Sequence, residues 1–282
     1  MAITNFIPEI WAAQLLSSLK KTLIYAGPGV VNRDYEGEVA NQGDTVRITS
    51  ISRPTIATYA KNATTITAET LTDAQRVLVV DQAKYFAFEV DDIDKRQAAN
   101  GGALMSEAAQ EAAYGLGDVI DQYVAGFYTS ADAGNAIGTT AVTTAAIAYT
   151  QLVALRTKLN QANVPTAGRF VIVPPWYEGL LLDNDRFVRQ DAAGTTEGLR
   201  NGAVGRAAGF DILVSNNVPI ITGDDYAVMA GHPSAISFAE QISKVEAYRP
   251  ESHFSDALKG LSLYGAKVVR PTCLAVLTAS IT

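Results

Sequence analysis

A chain of 282 residues, 48% hydrophobic and 18% charged, is long enough to bury a large core and to divide into two linked subdomains, and too apolar to be disordered. Its 22 Lys and Arg against 29 Asp and Glu leave a charge of −7 at pH 7, which disfavours direct DNA binding, because phosphate contact needs clustered cations. The single Cys273 excludes an internal disulfide, no basic leader precedes an apolar run at the start, and no run approaches the ~20 apolar residues of a spanning helix; the expectation is assembly in a reducing cytoplasm, without a membrane.

In chain order, Pro8 stands where a first helical turn begins and Gly27-Pro28-Gly29 where a helix must stop. Between them Trp11, Ala12, Leu15, Leu16, Leu19 and Leu23 share one face of an amphipathic helix, opposite Gln14, Ser17, Ser18 and Lys21. The helix packs on its own subunit or serves as an arm reaching a neighbouring chain, since terminal segments need an anchor.

Residues 44 to 90 read as a long β excursion. Thr45 to Thr49 alternates, as does Tyr85 to Val90 after the Val77 to Val80 run, so two strands are predicted. The joining stretch, Thr55 to Thr72, holds seven threonines, no Gly and no Pro, and its charges are Lys61 and Glu69. It is β-prone yet offers few large apolar groups, chiefly Ile56, Tyr59, Ile66 and Leu71. An isolated ribbon is marginal in water and long loops in compact domains are usually functional, so another protein surface is the expected support. The alternative is an exposed lid.

The longest helical periodicity runs from Leu104 to Thr129. It puts Glu107, Glu111, Asp118 and Asp121 on one side and Ala112, Leu116, Val119, Ile120, Tyr123 and Phe127 on the other. The apolar side docks on a sheet and the carboxylate side is expected to face solvent, because unscreened carboxylates repel one another. Seven acids (Asp91, Asp92, Asp94 and the four above) against Lys95 and Arg96 place −5 of the net charge around this spine.

From Tyr149 the pattern alternates helix and strand. Leu152, Leu155 and Leu159 mark a helix ending near Asn163, Arg169 to Val173 a buried strand, and Pro175 to Leu182 a second helix. Glycines 194, 198, 202, 205 and 209 punctuate a loop before a strand from Phe210 to Val214. Tyr226 to Ala230, Ile236 to Phe238 and Val245 to Tyr248 read as short strands, and Lys267 to Arg270 and Leu274 to Leu277 as strand-like runs able to return to the sheet beneath the spine.

Catalytic chemistry is not visible in the pattern. His232 and His253 lack a two-His metal spacing, Cys273 sits in an apolar strand, and no Gly-x-Ser-x-Gly elbow occurs. Asp91-Asp92-Ile93-Asp94 reads as a solvated turn sooner than a cation site. Asp183-Asn184-Asp185 begins like a calcium loop and fails at Phe187, and the glycines around Gly202 and Gly205 lack the Lys-Ser or Lys-Thr of a phosphate cradle. No catalytic residue, cofactor or metal is assigned.

Several short motifs follow one another along the chain: Ile7-Pro8-Glu9-Ile10-Trp11, Gly43-Asp44-Thr45-Val46, Phe88-Glu89-Val90-Asp91-Asp92, Val173-Pro174-Pro175, Asp185-Arg186-Phe187, Gly209-Phe210-Asp211 with Ser215-Asn216-Asn217, and Gly231-His232. In this order they resemble the major capsid proteins of tailed bacteriophages, with the Hong Kong 97-like fold. The resemblance implies an α+β chain with an N-terminal arm (1–40), an extended β loop lapping a neighbour (41–90), a peripheral domain with the spine helix (91–148), an axial domain (149–250) and C-terminal strands returning to the peripheral domain (251–282). It implies a structural protein, not an enzyme, that self-assembles as hexamers and pentamers into an icosahedral virion shell around double-stranded DNA held without sequence-specific contacts. The expected subunit interface is Trp11, Leu15, Tyr59, Lys61, Ile66 and Leu71, and the expected lumen face is Glu107, Glu111, Asp118 and Asp121. Expected partners are a portal, a decoration protein and a scaffolding protein, the last supplied separately because the arm helix begins within ten residues of Met1. An encapsulin-type compartment shares the fold and is the alternative; a hydrolase would need a catalytic residue that the inventory does not supply.

Overall fold

The computed structural model describes residues 24–34, 45–51, 54–61, 65, 66, 68, 70, 73–92, 104–184 and 205–281. The first excursion forms three strands, not the two expected. β1 (Thr45–Ile51) and β2 (Asp73–Val79) make an antiparallel ribbon with Thr45 opposite Val79 and Ile51 opposite Asp73. β3 (Gln82–Asp91) leaves that ribbon and joins a different sheet. The break falls at Val80 and Asp81, where one chain direction ends and the next begins.

That second sheet has the order β10-β11-β3, from β10 (Ile236–Tyr248), β11 (Ser255–Val268) and β3, all antiparallel. The two short strands expected around Ile236 and Val245 are one continuous β10. A register shift between Ile242 and Lys244 explains the misreading, since a bulge inverts the alternation partway along a strand. The base of the ribbon is seated on this sheet: Val46, Leu78 and Val80 pack with Ala239 and Leu263. The approach is close enough that a Cβ at Gly265 would lie 2.3 Å from the Val79 carbonyl oxygen, so this position demands glycine.

Helix α1 (Leu104–Ala125) is the spine, continued by a 3-10 turn over Gly126–Ser130. Its buried stripe is Ala109, Ala113, Leu116, Ile120 and Val124, whereas Val119 is 38% exposed, so the packed face is rotated from the expected one. Tyr123 meets Tyr264 of β11 and Phe127 edge-on, with centroids 5.3 Å apart in each pair.

The larger sheet has seven strands in the order β4-β12-β9-β5-β7-β6, with β8 on β9. These are β4 (Ala136–Ala141), β5 (Phe170–Val173), β6 (Arg206–Ala207), β7 (Phe210–Val214), β8 (Ile220–Thr222), β9 (Asp225–Gly231) and β12 (Leu274–Ser280). All four residues of β5 are buried, as an all-apolar central strand requires. Helix α2 (Ala145–Gln161), capped by Thr144, buries Ala148, Leu152, Leu155 and Leu159, and α3 (Pro175–Leu182) has proline in its first turn. The last two runs of the chain part company at Arg270: β11 remains in the three-stranded sheet, while β12 lies between β4 and β9. One apolar cluster joins α1, α2 and both sheets through Phe238, Tyr264, Ile120, Leu155 and Phe170.

Candidate assembly surfaces

Beyond its seated base, between β1 and β2, the described residues of the ribbon stand in solvent. Residues 54–61 are exposed and without regular structure, with Ile56 94%, Tyr59 65% and Ile66 80% exposed and Lys61 beside them in solvent. Three large apolar side chains on one excursion forgo roughly 1.5–3 kcal/mol of burial apiece. Leu71, Trp11 and Leu15 lie outside the described residues. Nothing in the sequence pattern signals two further aromatics in solvent, Tyr85 at 79% on β3 and Phe254 at 84% in the β10–β11 turn.

The four carboxylates assigned to the spine divide. Glu111 is exposed and Glu107 falls on α1 with its side chain outside the described set. Asp118 is half-buried and accepts from Asn217 Nδ2 at 2.7 Å and Gln122 Nε2 at 2.8 Å. Asp121 contradicts the expectation of a solvent-facing lumen residue, since it is 3% exposed. Its Oδ1 accepts the backbone N–H groups of Ile24 and Tyr25, each at 3.0 Å. The physical reason is that the tight turn at 24–27 leaves donors that must be satisfied inside the protein. Burial is the largest influence on Asp121 and pushes its pKa up, opposed by hydrogen bonds from the backbone of Ile24, Tyr25 and Ala26 and from Asn217. The spine thus ties the residue 24–34 segment to the turn after β7. That segment is further fixed by Asn32, which bridges to the β10 edge at Ser237, and by Arg33, whose guanidinium lies 4.9 Å from the Phe238 ring centroid.

The weaker chemical candidates take structural places. His232 Nδ1 accepts from the Ser234 N–H at 3.2 Å and caps a short turn; burial, then Arg169 and Arg270, lower its pKa. Asp92 pairs with Arg249, Asn184 Nδ2 donates to the Ala145 carbonyl at 3.0 Å, and Cys273 is buried. A cavity of about 330 Å³ at the β10–β11 turn is lined by Arg249 to Phe254, where Ser252 Oγ and His253 Nδ1 lie 2.9 Å apart. Among the described residues no cluster of His, Cys, Asp or Glu could hold a metal ion, and no helix is long and apolar enough to cross a membrane.

The described residues thus form a mixed body with a three-stranded and a seven-stranded sheet, a long spine helix, and a ribbon that leaves Ile56, Tyr59 and Ile66 exposed. The model of the phage capsid protein family matches residues 73–277. A chain of Mycobacterium phage Che8 is 31% identical over 98% of both chains, with a TM-score of 0.74. The capsid of cyanophage P-SCSP1u superposes with TM-score 0.71 at 18% identity, covering 86% of this chain and 85% of that one. The mature capsid of bacteriophage PhiM1 gives 0.68 at 19%, covering 88% and 87%. Curated proteins compared by sequence give no match. The chain belongs to the phage capsid protein family, with the Hong Kong 97-like fold, and is a structural component of the virion shell.

Proposed function

We propose that this chain is the major subunit of an icosahedral shell enclosing a double-stranded DNA genome, built from hexamers and pentamers in the host cytoplasm, and that it has no enzymatic activity. The observation that carries the interface is the ribbon, whose base is buried on its own sheet while Ile56, Tyr59 and Ile66 stand in solvent. A neighbouring subunit supplies the missing surface, with Lys61 and Leu71 in the same contact, and the arm helix bearing Trp11 and Leu15 reaches a second neighbour. Glu107, Glu111 and the outer edge of Asp118 face a lumen that must not grip DNA. A scaffolding protein, a portal and a decoration protein complete the proposed partners. A compartment for protein cargo has weaker support, because the family model and the 31%-identical chain both point to phages.

The test replaces residues 56–71 with a short Gly-Ser turn. Shortening a surface loop costs the monomer little, whereas a contact worth even ~1–2 kcal/mol repeats at every neighbour and compounds by multivalency. The thermal melt should change little while sedimentation velocity shows assembly lost. A collapsed melt, or normal particles with an unchanged melt, would sink the reading.

A further inference from the structure

The seven-stranded sheet is electrically polar along its strands, and we propose that neighbouring copies of this chain meet through its two ends, basic against acidic. The register aligns one end of the sheet: Phe170 of β5 lies opposite both Asp211 and Gly231, and Leu274 of β12 opposite Gly231. Arg169 and Arg270 precede those strands and Arg206 begins β6 there. The last turns of α2 add Arg156, whose guanidinium lies 3.5 Å from where a Gly209 Cβ would stand, and Lys158, whose Nζ donates to the Gly134 carbonyl at 3.0 Å. Against these five cations stand Asp132 and Asp211, and Asp211 is held by Arg206 at 2.6 Å.

Arg169 sharpens the imbalance. It is 2% exposed, and it donates to the Pro165 carbonyl at 2.7 Å, Asn160 Oδ1 at 2.8 Å and the Val164 carbonyl at 2.6 Å, with no carboxylate among its partners. Burial, then the charge of Arg156, lower its pKa.

The opposite end carries Glu178 and Asp183 on and after α3, and Asp224 and Asp225 at the β8–β9 turn, without a Lys or Arg among the described residues. Trp176 against Tyr226, with centroids 5.6 Å apart, and the Asn184 bond to Ala145 hold α3 at this end. Beside Asp224, Ile220 is 58% and Ile221 40% exposed, so the acidic tip also presents apolar surface.

Copies of a chain at −7 repel one another unless unlike charges are set face to face. A contact between two different patches of one subunit is heterologous, and such a contact builds a ring when its rotation closes. Arg156, Arg270, Asp183 and Asp224 are exposed, and no ion pair joins any of them to another described residue. The inference rests on the shell reading and names the contact within it.

The experiment is a charge-swap series in the full chain, under the conditions in which the parent forms particles: R156E/R270E, D183K/D224K, and all four together. The melts should stay near the parent's, since exposed charges contribute little to folding. Each one-ended variant should lose about tenfold or more of its particle yield, as juxtaposed like charges disfavour the contact, and the four-fold swap should recover it. One-ended variants that assemble like the parent overturn the proposal, as does a four-fold swap no better than either. Variants that form intact shells but retain less DNA would show that the basic end holds nucleic acid instead, and would also overturn it. A parent that forms no particles in any context would sink the shell reading, and this contact with it.

Discussion

Replacing Asp121 with alanine removes the one acceptor that the Ile24 and Tyr25 N–H groups share inside the protein. A buried donor left without a partner costs about 1–3 kcal/mol, so two such donors set a gross loss of about 2–6 kcal/mol. Part of this is offset, because the variant no longer buries a carboxylate whose burial already raises its pKa. The net expectation is about 2–4 kcal/mol, or a drop of roughly 3–7 °C in melting temperature for a chain of this size. Asparagine keeps an oxygen at Oδ1 for both donors, so Asp121→Asn should cost less than about 1.5 kcal/mol. The assay pairs thermal melts with hydrogen exchange over residues 24–34, where protection should fall in the alanine variant and survive in the asparagine one. An alanine variant that melts and exchanges like the parent would refute the argument that Asp121 anchors this segment.

The same residue gives a pH signature. Its folded-state pKa is raised, so between the ordinary carboxylate value and the raised one the native protein binds more protons than the unfolded chain, and stability falls as pH rises through that window. Measured against Asp121→Asn, the parent should therefore gain stability on acidification from neutral pH; a constant difference would count against a buried, titrating Asp121. At the ribbon base, Gly265→Ala drives a Cβ to 2.3 Å from the Val79 carbonyl oxygen and should cost about 1–3 kcal/mol by overpacking, read as a lowered melt, with an unchanged melt contradicting the close approach. On the proposed lumen face, Glu107→Lys with Glu111→Lys should spare folding while making DNA release from assembled particles more salt-dependent; unchanged salt dependence would place that face elsewhere.

Local signals served best where local and tertiary demands coincide. Helix α3 was legible to the residue because Pro175 starts it and its apolar run ends at Leu182, and β5 because four consecutive apolar residues suit a strand covered on both faces. The bulge in β10 and the departure of β3 from the ribbon were not legible, since both depend on which strand lies alongside. Asp121 was misread for a related reason. Its donors lie 96 and 97 residues away and are backbone groups, which leave no pattern in the sequence. The one available signal was its place beside Ile120 and Val124, within the buried stripe. In the Thr-rich stretch the scarcity of large apolar groups was legible, and three of those few, Ile56, Tyr59 and Ile66, stand exposed.

The central claim is that this exposed stretch is completed by a neighbouring subunit, and a photo-crosslinking amino acid at position 59, in place of Tyr59, tests it most directly. Irradiation of assembled particles should give covalent dimers and higher ladders of the chain, mapped by mass spectrometry to a surface of another copy, while the dissociated subunit gives none. Crosslinks confined within one chain, in particles of normal form, would contradict the account.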